Sequence, residues 1–267
     1  MNSQEGSDYK ERYVAYLDLL GFKSLVKLAE TVPEERNRLL EVLGLMRDSL
    51  CENPALGMRF THFSDCIVLS IDRTAEGLWE TFQSIQVLTF NLLQFDVLLR
   101  GALVAGGAHH GKDFVYGTAV NRAYLLESEC ARDPVTLLSS EVVEDAKEHG
   151  QPYSDWIRED PPGRYFIHYL RQYAEYRRLP IFAGKVIMDE PGKRIIDFVL
   201  QRLISDTGNV LAKARWLQEY WNQAVSTQGI FDRIEPGVTP RYLSRGPTTM
   251  FRRIVAPATP TAPPEGR

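Results

Sequence analysis

Residues 12–22, RYVAYLDLLGF, and residues 59–71, RFTHFSDCIVLSI, decide the fold. Each is a run of aromatic, β-branched and aliphatic residues, the composition of a strand, with one acid set among them. Gly21-Phe22 closes the first run, and GFKSLVKLAE then has the pattern of a short helix. In the second run Ser64-Asp65 is a turn-type dipeptide between MRFTHF and CIVLSI. It predicts a hairpin with Asp65 at or near its tip.

Outward from these runs, Pro33 opens an amphipathic helix over 34–51, with Leu39, Leu40, Val42, Leu43, Leu45 and Met46 as its apolar side. A further helix covers 76–96, and LLRGALVAGGA at 98–108 reads as a strand whose small residues let another backbone or a ligand come close. FVYG at 114–117 leads into the helix TAVNRAYLLESECA. TLLSS, SSEVVEDAKEH and YFIHYL supply a strand, a helix capped by Ser139-Ser140, and a final strand. That order predicts an α+β fold: a mixed sheet with helices on one side, in a split βαββαβ topology.

The predicted organisation has three parts. Residues 10–179 form the α+β domain, and 180–250 form a mainly helical extension containing KRIIDFVLQRLISD and NVLAKARWLQEYWNQAV. Residues 251–267, ending APATPTAPPEGR, are a disordered tail. The 31 basic and 35 acidic residues of the 267-residue chain leave a net charge of −4, so no basic excess exists to neutralise a nucleic-acid backbone. An apolar share of 44% and 10% aromatics support a real core and exclude general disorder. Cys51, Cys66 and Cys130 show no CxxC spacing, which argues against a zinc site or a disulfide framework. The polar N-terminus lacks the apolar segment of a secretion signal, and no run is long enough to span a bilayer. A cytoplasmic protein without a membrane partner is the expectation.

An acid inside YVAYLDLLGF is costly if buried and unpaired, so Asp18 needs a partner. Asp18 capping the helix after Gly21 is one explanation, and Asp65 as an ordinary turn residue is another. Together the two acids suggest more. In the predicted topology the first strand and the hairpin lie side by side at the sheet centre, where the two carboxylates converge. Paired carboxylates bridge divalent cations about 3.5–4 Å apart in two-metal phosphoryl transfer. Oxygen-only ligands suit Mg²⁺ or Mn²⁺.

Asp18-Leu19-Leu20-Gly21-Phe22 resembles the Asp-Ile-x-Gly-Phe motif of class III nucleotide cyclases, and Phe63-Ser64-Asp65 resembles their hairpin Gly-Asp. Arg100-Gly101 resembles their later Arg-x-Gly strand, and Gly117-Thr118-Ala119-Val120-Asn121-Arg122-Ala123 resembles their Gly-x-x-Val-Asn-x-Ala helix start. The likeness spans about residues 12–170. It implies that Asp18, Asp65 and the carbonyl of Leu19 hold two divalent cations, Mn²⁺ or Mg²⁺. It further implies that Arg100 contacts the triphosphate and that Asn121 orients the ribose. Two chains of this family pair head to tail, so a homodimer is implied, with metals from one chain and Asn121 from the other.

The departures from the family point to a different base. Purine cyclases carry Lys where Thr61 stands, and an acid that reads adenine where Phe114 stands. Asp113 is adjacent, but one step along a strand faces the opposite way. Loss of both readers is similar to the pyrimidine cyclases of bacterial Pycsar antiphage systems, which make cyclic UMP or cyclic CMP from UTP or CTP. The helical extension with Lys213, Trp216 and Tyr220 also resembles those proteins. The resemblance implies a separate effector that reads the cyclic nucleotide. Tyr13 or Tyr16, with Phe114, are candidates to narrow the base pocket, and core packing is the competing role for each ring. The family's transition-state arginine falls at Leu125, so Arg122, Lys213 or Arg215 are the candidates to replace it. A purine cyclase and a catalytically silent nucleotide-binding module are the alternatives. His109-His110 resembles a metal pair only at first sight, since strand neighbours face apart. A loop is expected there. GALVAGG lacks the GxxxxGK[ST] pattern of a phosphate loop.

Overall fold

The computed structural model describes residues 9–50, 52–178, 186–225 and 233–235. The expected tail over 251–267 lies outside the described residues. Alternation in the first strand builds the molecule. In β1 (Lys10–Leu20), Tyr13, Ala15, Leu17 and Leu19 are buried in the main core, and Val14, Tyr16 and Asp18 face the other way. Helices α1 (Phe22–Thr31) and α2 (Pro33–Ser49) follow, the second with Pro33 at its start and Glu34 and Glu35 in its first turn. Strands β2 (Arg59–Phe63) and β3 (Cys66–Asp72) make the expected hairpin. Helix α3 (Ala75–Leu93) is capped by Thr74, whose hydroxyl accepts from the Gly77 N–H at 3.0 Å.

The chain continues through β4 (Leu98–His110), β5 (Val115–Tyr116), α4 (Thr118–Cys130), β6 (Thr136–Leu138) and α5 (Ser140–Glu148). After it come β7 (Ile157–Glu159), β8 (Tyr165–Ile167), α6 (Arg171–Arg178), α7 (Val186–Ser205) and α8 (Gly208–Ala224). The eight-stranded sheet runs β2-β3-β1-β4-β6-β8-β7, with β5 paired to β4. β1 is antiparallel to both β3 and β4, whereas β4 and β6 are parallel, so the sheet is mixed. The first four strands have the spatial order β2-β3-β1-β4, the split βαββαβ arrangement with β1 and β3 inside.

The α+β class stands, and one detail differs from expectation. Helices lie on both faces of the sheet. Residues of α1, α2, α3 and α5 join the core on the Tyr13 face. Helix α4 lies on the opposite face, where Ala119 and Ala123 pack on Val14, Val104 and Ala108. Its stripe of small residues reads as weakly amphipathic, yet it fits the flat floor that small β4 residues provide. Gly117 fixes the entry of α4: φ is 145°, and a Cβ there would sit 2.5 Å from the Gly107 carbonyl oxygen.

The helical extension is not a detached unit. Phe198, Val199, Leu217, Tyr220 and Trp221 share a second core with Phe90 of α3, Leu137 of β6 and Phe166 of β8. Trp216 stacks on Tyr220 inside this cluster. Among the described residues, no helix is long and apolar enough to cross a membrane.

Candidate functional site

β1 and the hairpin bring the two acids together. Asp18 lies opposite Cys66 on β3 and opposite Arg100 on β4. The Leu19 N–H donates to the Asp65 carbonyl at 3.0 Å, which ties the hairpin tip to the end of β1. Ser64 takes the left-handed conformation at φ 58°, as a tight two-residue tip requires. One ligand atom each from Asp18, Asp65 and Cys66 lie within 4.8 Å of one another. Asp18 does not cap the following helix: the residue before α1 is Gly21, at φ 81°, with no side-chain cap.

Arg100 is held from three sides. Its Nη2 is 3.2 Å from Asp18 Oδ2, its Nε is 2.6 Å from Glu127 Oε1, and its Nη1 donates to the Ala131 carbonyl at 3.2 Å. Glu127 is the neighbour of Arg100 that motif reading misses. Its signal was in the pattern: Ala119, Ala123 and Glu127 recur at helical spacing on the buried side of α4, so an acid stands in an apolar stripe. Burial pushes the Asp18 carboxyl up, against the pull of Arg100, and the nearby Asp65 charge adds to the rise. Glu127 is likewise pushed up, by burial first and by Asp18, with Arg100 opposing. Burial also raises the Cys66 thiol, whose sulfur accepts from the Tyr16 hydroxyl at 3.0 Å. The site is therefore an acidic pair under charge strain beside one guanidinium.

Tyr13 is not at this site. It lies on the opposite face from Asp18, 1% exposed, and its hydroxyl donates to Asp145 Oδ2 at 2.8 Å. Strand alternation selects the other candidate, Tyr16, which faces the acids and meets Tyr124 edge to face at 5.4 Å. Thr61 is exposed on the same sheet face, and its hydroxyl lies 2.9 Å from His110 Nε2. Phe114 is 71% exposed beside β5, where its carbonyl accepts from the Gly111 N–H. Asn121 is exposed on α4, at the end near Gly117 and away from Glu127. The candidates therefore form two groups: Asp18, Leu19, Asp65 and Arg100 in one, and Thr61, Phe114 and Asn121 outside it.

Arg122 is engaged elsewhere, with the Glu141 carboxylate and, at 3.3 Å, the Ala105 carbonyl. Lys213 lines a cavity of about 370 Å³ that opens beside Leu20 and Gly21, whereas Arg215 is on the exposed side of α8. His109 and His110 correct the loop expectation. They end β4, are buried, and are covered by pairing with β5.

The donor set fits a hard divalent cation. Two carboxylates offer oxygen ligands, and the Leu19 main chain abuts them. Sulfur is a soft ligand, so Cys66, beside the two acids, suits Mg²⁺ or Mn²⁺ less well than their oxygens do.

No family model matches the chain, and no curated protein matches it. Solved structures are similar to it over part of its length. The monomeric guanylyl cyclase domain of the RhoGC fusion protein from the aquatic fungus Blastocladiella emersonii is 14% identical, with a TM-score of 0.43. That likeness covers 60% of this chain and 98% of the fungal one. The adenylate/guanylate cyclase/hydrolase from Silicibacter pomeroyi is 13% identical over 60% of this chain and 95% of its own, at a TM-score of 0.40.

Proposed function

We propose that this chain is a metal-dependent nucleotide cyclase that converts UTP or CTP to the 3′,5′-cyclic monophosphate and pyrophosphate. The observation that carries the proposal is the convergence of Asp18 and Asp65 from two neighbouring strands, with Arg100 beside them. Two divalent cations, Mn²⁺ or Mg²⁺, bound to these acids and the Leu19 carbonyl supply the Lewis acidity that lowers the pKa of the ribose 3′-hydroxyl. The residues do the rest by position. Asp18 and Asp65 fix where positive charge collects. Arg100, oriented by Glu127, faces the triphosphate and offsets the charge that develops on departing pyrophosphate. The 3′-oxygen forms its bond to the α-phosphorus as the bond to pyrophosphate breaks, and the hydroxyl proton passes to solvent.

Asn121 is exposed and apart from the acids of its own chain, which supports its serving the acids of a second copy in a head-to-tail homodimer. Thr61 and Phe114, where purine cyclases place their base readers, support a pyrimidine substrate. The full role is that of a cytoplasmic second-messenger synthase in bacterial antiphage defence, its product sensed by a separate effector. With Arg122 tied to Glu141, Lys213 and Arg215 are the candidates to serve where Leu125 stands. Those same ties favour a second reading, a silent nucleotide-binding module. Incubation of the protein with each of the four NTPs and Mn²⁺, followed by product identification, tests the proposal. Cyclic UMP or cyclic CMP with pyrophosphate is expected. Cyclic AMP or cyclic GMP would assign a purine cyclase, and nucleotide binding without product would assign the silent module.

A further inference from the structure

A cavity lies apart from the paired acids. Its volume is about 370 Å³, in the range of small-molecule sites, and Asp18, Asp65 and Arg100 are not in its lining. One wall is built from the end of β1 and from α1, with Leu20, Leu25 and Leu28. The facing wall belongs to the helical extension, with Phe198 of α7 and Val210 and Leu217 of α8. That second wall falls beyond residue 170, outside the likeness to nucleotide cyclases. The family's substrate site therefore does not account for the cavity.

Both walls are apolar, and three cations and one acid sit among them: Arg38, Arg202, Lys213 and Asp96. The arginines are already engaged. Arg38 Nη1 is 3.0 Å from Glu35 and its Nε donates to the Phe95 carbonyl, while Arg202 Nη1 is 3.2 Å from Asp206. Lys213 has no acid partner among the described residues. Its ammonium donates to the Asn209 carbonyl of its own helix, at 3.4 Å. An ammonium without a counter-charge between aliphatic walls favours a ligand with an apolar body and one anionic head. Asp96 on the same lining opposes a second negative charge, which favours a carboxylate over a phosphate monoester.

We propose that this cavity, between α1 and the helical extension, binds a monocarboxylate with an apolar chain, its carboxylate set on Lys213. The occupant joins the extension to the end of the strand that carries Asp18. The proposal goes beyond the cyclase reading and does not need it.

Isothermal titration of the full chain with decanoate, in the absence of nucleotide and metal, is the test. One decanoate per chain should bind, saturating below about 1 mM, and should raise the melting temperature. Lys213→Met should weaken binding about ten- to hundredfold, the worth of a hydrogen bond to a charged group, and Lys213→Arg should keep it. Decanol should bind wild type no better than decanoate binds Lys213→Met. Val210 is 46% exposed, so Val210→Trp fills the cavity from its open side without disturbing the core, and it should block binding. No saturation, several decanoates per chain, equal binding of decanol, or unchanged affinity in Lys213→Met or Val210→Trp would overturn the proposal. So would a decanoate Kd that climbs in proportion to an added non-hydrolysable UTP analogue in Mn²⁺, because the cavity would then belong to the substrate site. Failure to form cyclic product would sink the cyclase reading and leave these titrations untouched.

Discussion

Glu127→Ala removes the carboxylate that holds Arg100 Nε at 2.6 Å. The carboxylate is 4% exposed and the guanidinium 25%, so the pair is largely shielded from water. Breaking a buried pair by deleting one partner costs about 3–5 kcal/mol. Arg100 keeps Asp18 and the Ala131 carbonyl, both at 3.2 Å, so the loss should sit near the low end, about 3 kcal/mol. For a chain of this size that lowers the melting temperature by about 6–12 °C. Glu127→Gln should cost less, because burial already disfavours the charged form of Glu127. Activity should respond separately. With Glu127 gone, Asp18 is the carboxylate left to Arg100, and the guanidinium competes with cations for it. Half-saturating Mn²⁺ should rise several-fold. Thermal denaturation with a Mn²⁺ titration reads both effects, and a cycle with Arg100→Met isolates the pair. A Glu127→Ala protein that melts with the wild type and needs no more Mn²⁺ would refute the clamp.

Asp18 gives a pH prediction. Its folded pKa is raised, so the folded state holds this proton more tightly than the unfolded chain. The resulting stability is present below the ordinary carboxylate pKa and is lost as pH rises through the raised value. Without metal, Asp18→Asn should therefore melt higher than wild type at neutral pH, and Mn²⁺ should raise the melting temperature of wild type alone. A lower melting temperature for Asp18→Asn in chelator would contradict this. Gly117→Ala should lose about 1–3 kcal/mol or more, since its Cβ meets the Gly107 carbonyl oxygen at 2.5 Å and φ is 145°. Urea denaturation measures that loss, and stability equal to wild type would rule out the tight α4 entry.

Most of the sheet was legible because its strands are strongly patterned. β1 carries an aromatic and aliphatic run, β3 a β-branched one and β4 a small-residue one, and the turn at Ser64-Asp65 is where its chemistry predicts. Strand β7 and helix α6 were not, being three residues and eight residues long, too short for a period to register. The two-sided placement of helices was hidden because the contact face of α4 is made of alanines rather than large apolar residues. At the site, Asp18, Asp65 and Arg100 meet as their strands' ends suggest. Tyr13 fails for a simple reason: five residues from Asp18 in one strand is an odd number, and odd spacing means opposite faces. The Glu127–Arg100 and Thr61–His110 contacts depend on which residues sit beside others across strands and helix. Motif spacing does not carry that information.

The central claim is that Asp18 and Asp65 together support nucleotide cyclisation. The most direct measurement is cyclic nucleotide and pyrophosphate formed from UTP and CTP in Mn²⁺ by wild type and by Asp65→Ala, with both shown folded by thermal melting. The account predicts cyclic product and equal pyrophosphate from wild type and neither from the folded variant. Turnover by Asp65→Ala at the wild-type rate would contradict it.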